Sequence, residues 1–372
     1  MSFFKRAAPP IPFRTKPKVD RPYINAIYYA NWTVYKGCTP ASLDLSKITH
    51  VFYAFVRIRP EDGSVYLSDE GADVQMNVDG ADGGCLGSFQ RLKQQYPHLK
   101  VILSLGGGGE GSSPFAAVCR NTSMVQNLVR SARELVDRWS LDGIDVDWEH
   151  PSNAEEGRAY INLLKALREV LPTPDYLLTT ALPIGQWALQ HIPLDEARGI
   201  LDYINVMAYD MSGPWAPQSG HHAQLHSHSD KEASGSQGVA YMKRKGVPAH
   251  KLVLGLPLYS RAFLGVTGPA QKYSSCSGEE GTFPYNKLPL DGAYEWHDEP
   301  CCAGGSYDGA KGEWMSYDIP VTTQRKCDWI RQEGLGGAFF WEASGDKPAV
   351  SGASLIQTSY HALGGEENMR RF

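Results

Sequence analysis

Asp145, Asp147 and Glu149 stand at alternate positions of the segment Leu141–His150, LDGIDVDWEH. If this run is a β-strand, residues two apart face the same side, about 6.6 Å apart along it. Three carboxyls then line one face, while Ile144, Val146 and Trp148 line the other. Crowding like charges where water is scarce costs several kcal/mol unless some carboxyls keep their protons. A site that holds protons this way is suited to acid–base chemistry. Taken alone, the strand also fits a solvated acidic sheet face or a divalent-metal site.

Short apolar, β-branched or aromatic runs recur at about 24–30, 48–58, 99–105, 141–149, 177–183, 201–209, 251–258 and 335–341. Helical spacing falls between several of them. Met124, Leu128, Leu135 and Val136 mark a helix over 123–139; Tyr160, Leu163, Leu164, Leu167 and Leu171 mark another over 155–171, opened by an Asn153…Glu156 capping box. Strands alternating with helices imply βαβ units and a parallel sheet. Eight such units predict a closed α/β barrel, a (β/α)8 TIM barrel. A small α+β insertion after strand seven, residues 264–316, takes up the excess length, and a helix at 321–333 stops at Gly334. The barrel is therefore expected over 23–263 and 317–365, with flexible tails at 1–22 and 366–372 and a structured loop within 59–98. Active sites of such barrels lie at the C-terminal ends of the strands. Glu149, Tyr209 with Asp210, and Trp341 with Glu342 all fall there.

A net charge of −5 without a dense Lys/Arg run argues against nucleic acid or an anionic membrane as partner. No stretch approaches 18 apolar residues, so no membrane span is expected. The first 22 residues lack the apolar core of a secretory signal, which makes a cytoplasmic location the default expectation and unconventional secretion the alternative. The seven cysteines are odd in number and irregularly spaced, so free thiols are expected, with a bridge from Cys276 to the Cys301–Cys302 pair as the option in an oxidising compartment.

The signature Asp142, Asp145, Asp147, Glu149 resembles that of the family-18 glycoside hydrolases, the retaining chitinases. The similarity continues in order through Tyr28-Tyr29 and Trp32, Tyr53-Ala-Phe55, Ser104-Leu-Gly106-Gly107, Met207-Ala-Tyr209-Asp210, Gly255 to Arg261, and Trp341-Glu342 with Asp346. It covers about residues 23–346. The resemblance implies cofactor-independent, substrate-assisted hydrolysis of β-1,4-linked N-acetylglucosamine by a monomer acting on chitin or chito-oligosaccharides. It makes Glu149 the general acid and then base, and the substrate's acetamido oxygen the nucleophile. It has Asp147 accept the acetamido N–H, Asp145 share a proton with Asp147 with support from Tyr28 and Ser104, and Tyr209 orient the acetamido oxygen. Asp210 contacts the sugar and tunes Glu149, Trp341 floors the −1 subsite, and Phe55, Met207, Trp215, Tyr259 and Arg261 complete the substrate-binding set.

One position departs from the pattern. Many relatives carry Trp after the two glycines of strand three, as a +1 platform, where this chain has Gly108. A weaker +1 contact, or an aromatic such as Trp215 supplied from elsewhere, is the expected consequence. GGGGEG lacks the Lys-Ser/Thr of a phosphate loop. The stretch His221, His222, His226 and His228 is read as a solvated or substrate-lining loop rather than a metal site, and no metal is expected. Trp187, Trp296 and Tyr307 fit core and cleft equally. Two other readings compete: an endo-acting barrel on N-glycan cores, against which the insertion argues, and a chitin-binding lectin, against which an intact Glu149 argues.

Overall fold

A computed structural model describes residues 22–80, 82–229 and 232–370. The expected tail at 1–22 lies outside the described residues apart from Pro22. Barrel strands one to eight are Ile24–Ala30, His50–Ile58, Lys100–Gly106, Gly143–Asp147, Leu177–Pro183, Tyr203–Met207, Leu252–Pro257 and Gly337–Trp341. All are parallel, and strand one closes the ring by pairing with strand two (Ala26 with His50) and strand eight (Ile24 with Gly337). The fold is a (β/α)8 barrel.

Both faces of these strands are buried, as parallel sheets require. Ile144 and Val146 pack outward with Leu163, Leu164 and Leu167 in the layer between strands and helices. Tyr28, Phe52, Phe55, Ile102, Tyr203, Val253 and Phe339 fill the barrel interior. The helix Thr122–Arg138 starts where the Asn121 side chain accepts from Ser123 N and Met124 N. Asn153 caps Ala154–Val170 through Glu156 N, but Glu156 answers to Ser152 N and Oγ rather than to Asn153. The reciprocal half of the capping box is therefore displaced by one residue.

The connection 59–98 is more than a loop. It holds the antiparallel strand Val65–Leu67 on strand two and the helix Gly84–Gln95, which buries Cys85, Leu86, Phe89 and Leu92. Gly84 has φ 60°, and a Cβ there would sit 2.4 Å from the Asp73 backbone, so the helix can start there only with glycine. The inserted module is a second, antiparallel sheet in the order Tyr294–Asp298, Ala303–Asp308, Glu313–Ser316, Arg261–Leu264, with a helical turn at Tyr285–Lys287. The C-terminal segment is docked rather than a loose tail as far as Arg370: Tyr23 N donates to Asn368 O, and Arg370 N donates to Tyr23 O.

A buried ion pair ties the loop after strand six to the helix Pro320–Glu333. Lys326 Nζ donates to both oxygens of Asp318, at 2.7 and 2.6 Å, and to Ala223 O at 2.5 Å. Lys326→Met leaves the Asp318 carboxylate buried without its cation. It is expected to lower unfolding stability by roughly 3–5 kcal/mol, read from urea midpoints.

Candidate active site

Asp145 sits inside the barrel with no solvent exposure, and four strands supply its donors. Tyr28 Oη (2.9 Å) and Ser104 Oγ (2.8 Å) donate to Oδ2; Thr179 Oγ1 (2.7 Å) and Asn205 Nδ2 (3.5 Å) donate to Oδ1. Ser104, Asp145 and Thr179 are in register across strands three, four and five, which is why one layer of the barrel can hold the carboxylate. Burial raises the pKa of Asp145, and the Thr179, Ser104 and Tyr28 hydroxyls pull it back. With its roughly four acceptor positions taken, Asp145 is the better furnished of the two aspartates to carry a negative charge.

Asp147, two residues on, has the opposite surroundings. Its Oδ1 is buried and meets no hydroxyl, amide or cationic donor. Burial, then Glu149, then Asp145 push its pKa well up, against a smaller pull from Arg57. These surroundings favour the protonated form of Asp147, while Asp145 takes its hydrogen bonds from hydroxyls and an amide.

Strand four stops at Asp147 rather than running to Glu149. Glu149 N donates to Ser112 Oγ at 2.7 Å instead of to a neighbouring strand, and that hydroxyl faces Gly107 O (2.9 Å) and Asp147 O (3.2 Å). Trp148 is pinned beneath, stacked on Phe115 at 5.1 Å. Glu149 thus reaches the barrel rim with its side chain 29 % exposed. Burial, and then the charge of Asp210, raise its pKa to about 7. A carboxyl balanced at that value can give and take a proton at neutral pH.

Asp210, held at φ 58°, accepts from Arg261 Nε at 2.8 Å and lies 3.6 Å from His222 Nδ1. Burial opposes its ionisation, yet His222 and Arg261 hold its pKa far below the usual carboxylate range. Arg261 also lies over the rings of Trp215 (4.7 Å) and Tyr259 (5.4 Å). Tyr209 meets Tyr259 and Phe339 edge-on, and burial followed by Asp147, Glu149 and Asp210 raises its pKa well up, so its hydroxyl stays a donor. Trp341 contacts Tyr28 edge-on at 5.5 Å and stacks on Phe55 at 5.6 Å. Phe55 is buried against Trp341, and Met207 packs in the same interior cluster. A groove of about 800 Å³ runs from Trp341 past Tyr259, Asp210 and Arg261 to Glu280.

The structure gathers Tyr28, Ser104, Asp145, Asp147, Glu149, Tyr209, Asp210, Tyr259, Arg261 and Trp341 at one end of the barrel, with Trp215 exposed beside Arg261. Other residues fall elsewhere. Asp142 clamps the opposite end of strand four, accepting from Val101 N and pairing with Lys93 and Lys100. Asp346 accepts from Ser354 Oγ and from Leu355 N, holding the start of the helix Leu355–Ala362. Trp296 and Tyr307 pack in the inserted sheet with Trp314 and Phe263. The histidine loop is not uniformly solvated: His221 and His222 are buried, and only His228 is exposed. Sequence reasoning missed Ser112, Thr179 and Asn205, and it named His222 without its burial against Asp210.

A Cβ on Gly108 would lie 3.5 Å from Glu149 Oε1, so the position beside the acid is open. Trp187, 66 % exposed, stands edge-on to His150, the residue after Glu149, at 5.4 Å.

Residues 24–346 match the model of the glycosyl hydrolases family 18. The chain is 34 % identical over 375 residues to Chitinase 1 of Aphanocladium album, covering 94 % of this chain and 88 % of that one. Its fold superposes on a chitinase of Bacillus thuringiensis with a TM-score of 0.84 at 27 % identity, covering 93 % of this chain and 70 % of that one. It superposes equally well, TM-score 0.84 at 25 % identity, on the Group IV chitinase of Ostrinia furnacalis in complex with allosamidin, covering 94 % and 100 %.

Proposed function

The chain belongs to the glycosyl hydrolases family 18, and we propose that it is a chitinase cleaving β-1,4 bonds between N-acetylglucosamine units with retention at the anomeric carbon. The observation that carries the reading is the graded trio at the end of strand four: Asp145 ringed by donors, Asp147 with a bare oxygen and its pKa pushed well up, and Glu149 balanced at about 7.

Glu149 gives its proton to the glycosidic oxygen as the C1–O bond breaks. The carbonyl oxygen of the substrate's 2-acetamido group bonds to C1 from the opposite face, forming an oxazolinium ring. Asp147 presents a carboxyl oxygen to the acetamido N–H. The pair Asp145–Asp147 carries one net negative charge, which opposes the positive charge growing on the ring. Tyr209 donates its hydroxyl to the acetamido oxygen and aims it. Water then attacks C1, Glu149 takes its proton, and the ring reopens. Two inversions give the β-product.

Every side chain in the scheme comes from one barrel, so the reaction needs a single copy of the chain. The open position at Gly108 removes one sugar platform on the leaving-group side, and the exposed Trp187 and Trp215 are candidates to replace it.

A labelled chitohexaose digest tests the reading: shorter N-acetylglucosamine oligomers support it, and an intact hexamer overturns it. In the same assay Tyr209→Phe is expected to lower kcat about a hundredfold with little change in KM, because its hydrogen bond matters most as the oxazolinium forms. Activity of the parent enzyme should fall about tenfold per pH unit above about 7, as Glu149 loses its proton. Asp210→Asn removes a charge that raises the Glu149 pKa, so the same limb should move to lower pH.

A further inference from the structure

Away from the reacting carboxyls, the loop after strand six meets the turn between inserted strands Tyr294–Asp298 and Ala303–Asp308. Leu225 N and His226 N both donate to Cys301 O at 3.0 Å, so the two segments are already in register. At this junction one ligating atom each of His228, Asp298 and Cys301 lies within 4.8 Å of the others. His228 Nε2 is 2.9 Å from Asp298 Oδ2. On the buried side, His221 Nε2 lies 3.5 Å from the same oxygen. The His221 side chain is 2 % exposed, and its Nε2 makes no hydrogen bond of acceptable geometry.

From this juxtaposition we infer that His228, Asp298 and Cys301 form a structural zinc site, with His221 beside it as the fourth donor. The chemistry of the set fits that ion. Two imidazoles, a carboxylate and a thiolate are donors zinc takes up in fours, and tetrahedral Zn–N, Zn–O and Zn–S bonds place ligand atoms about 3–4 Å apart. Shifts of about an ångström bring His228, Asp298 and Cys301 into that range, and His221, already 3.5 Å from the Asp298 oxygen, would turn toward the ion they hold. One thiolate and one carboxylate balance the two charges of the ion, leaving a neutral centre in a partly buried place. Cys301 is fully buried while His228 is largely exposed, so the ion has a way in from solvent.

The site takes no part in the glycosidic chemistry. It staples the loop after strand six to the inserted sheet, and the staple begins at the neighbour of His222. His222 O accepts from Met211 N at 3.0 Å and its ring faces Asp210. Zinc at this point would hold that wall of the groove in place while leaving the acid untouched.

Cobalt(II) is the probe, because a cobalt–thiolate bond gives charge-transfer absorption in the near ultraviolet and a tetrahedral site gives visible bands. The full chain, stripped of metal and kept reduced, should develop both with one equivalent of Co²⁺, and Zn²⁺ should bleach them. Cys301→Ser should abolish the charge-transfer band, and His228→Ala, an exposed position, should weaken Co²⁺ binding at least about tenfold. Cys302→Ser should leave both unchanged. No charge-transfer band in the parent chain, a band that survives Cys301→Ser, or one lost equally in a folded Cys302→Ser variant would overturn the assignment.

Discussion

Glu149→Gln is expected to reduce turnover of chitotetraose by about a thousandfold or more while oligosaccharide binding persists. The amide keeps the size and neutral charge that protonated Glu149 presents to substrate but has no proton to give. Turnover above a few per cent of the parent enzyme would mean that another group is the acid. The same variant separates catalysis from folding. The Glu149 pKa is about 7 in the folded chain against an ordinary value of 4.5, so the unfolded chain loses that proton first as pH rises. Folded stability is therefore given up between about pH 4.5 and 7 and stays lower above it. Glu149→Gln removes this loss, so its Tm should exceed that of the parent near pH 8 and converge with it near pH 4.

Asp147→Ala is expected to lower kcat by about a hundred- to a thousandfold, because it removes the oxygen that receives the acetamido N–H and half of the pair opposing the ring's charge. Asp147 receives no donor at Oδ1 and its surroundings favour the protonated form, so its removal strands no hydroxyl at that oxygen and takes away a group whose charge the fold disfavours. The variant should fold as stably as the parent at neutral pH, and isothermal titration with chitotetraose should still show binding. A variant that lost activity only in proportion to lost fold would make Asp147 a structural residue. The contrast with Asp145 is direct, since truncating that residue leaves the Tyr28, Ser104 and Thr179 hydroxyls facing an empty layer.

The parts of this site that lie along one strand were legible in the sequence, and the parts that need neighbouring strands were not. Period two alone placed Asp145 and Asp147 on one face with Ile144 and Val146 opposite, and the closed barrel followed from eight apolar runs. The roles within the trio depend on what surrounds each carboxyl. Thr179 and Asn205 enter through the stagger of strands five and six, and nothing in TTALP or INVM advertises a hydrogen bond to a residue on strand four. Asp142 shares the signature with the trio yet serves the opposite end of the strand, because a shift of three residues moves it to the other end of the barrel. The helix Gly84–Gln95 did carry a signal, with Cys85, Leu86, Phe89 and Leu92 at helical spacing, but the glycines that open it read as loop. His222 was hidden for another reason: neighbouring histidines suggest a solvated loop, whereas the chain folds two of them inward against Asp210 and the inserted sheet.

In this mechanism the nucleophile belongs to the substrate, with Asp147 only assisting it. The decisive comparison is of rates on aryl chitobiosides whose reacting sugar carries an N-acetyl, N-fluoroacetyl or N-trifluoroacetyl group. Each fluorine withdraws electrons from the carbonyl oxygen that must attack C1. The rate of the bond-breaking step should fall steeply along the series, by orders of magnitude at trifluoroacetyl. Rates that stay level across the three substrates would place the nucleophile on the protein and contradict the mechanism.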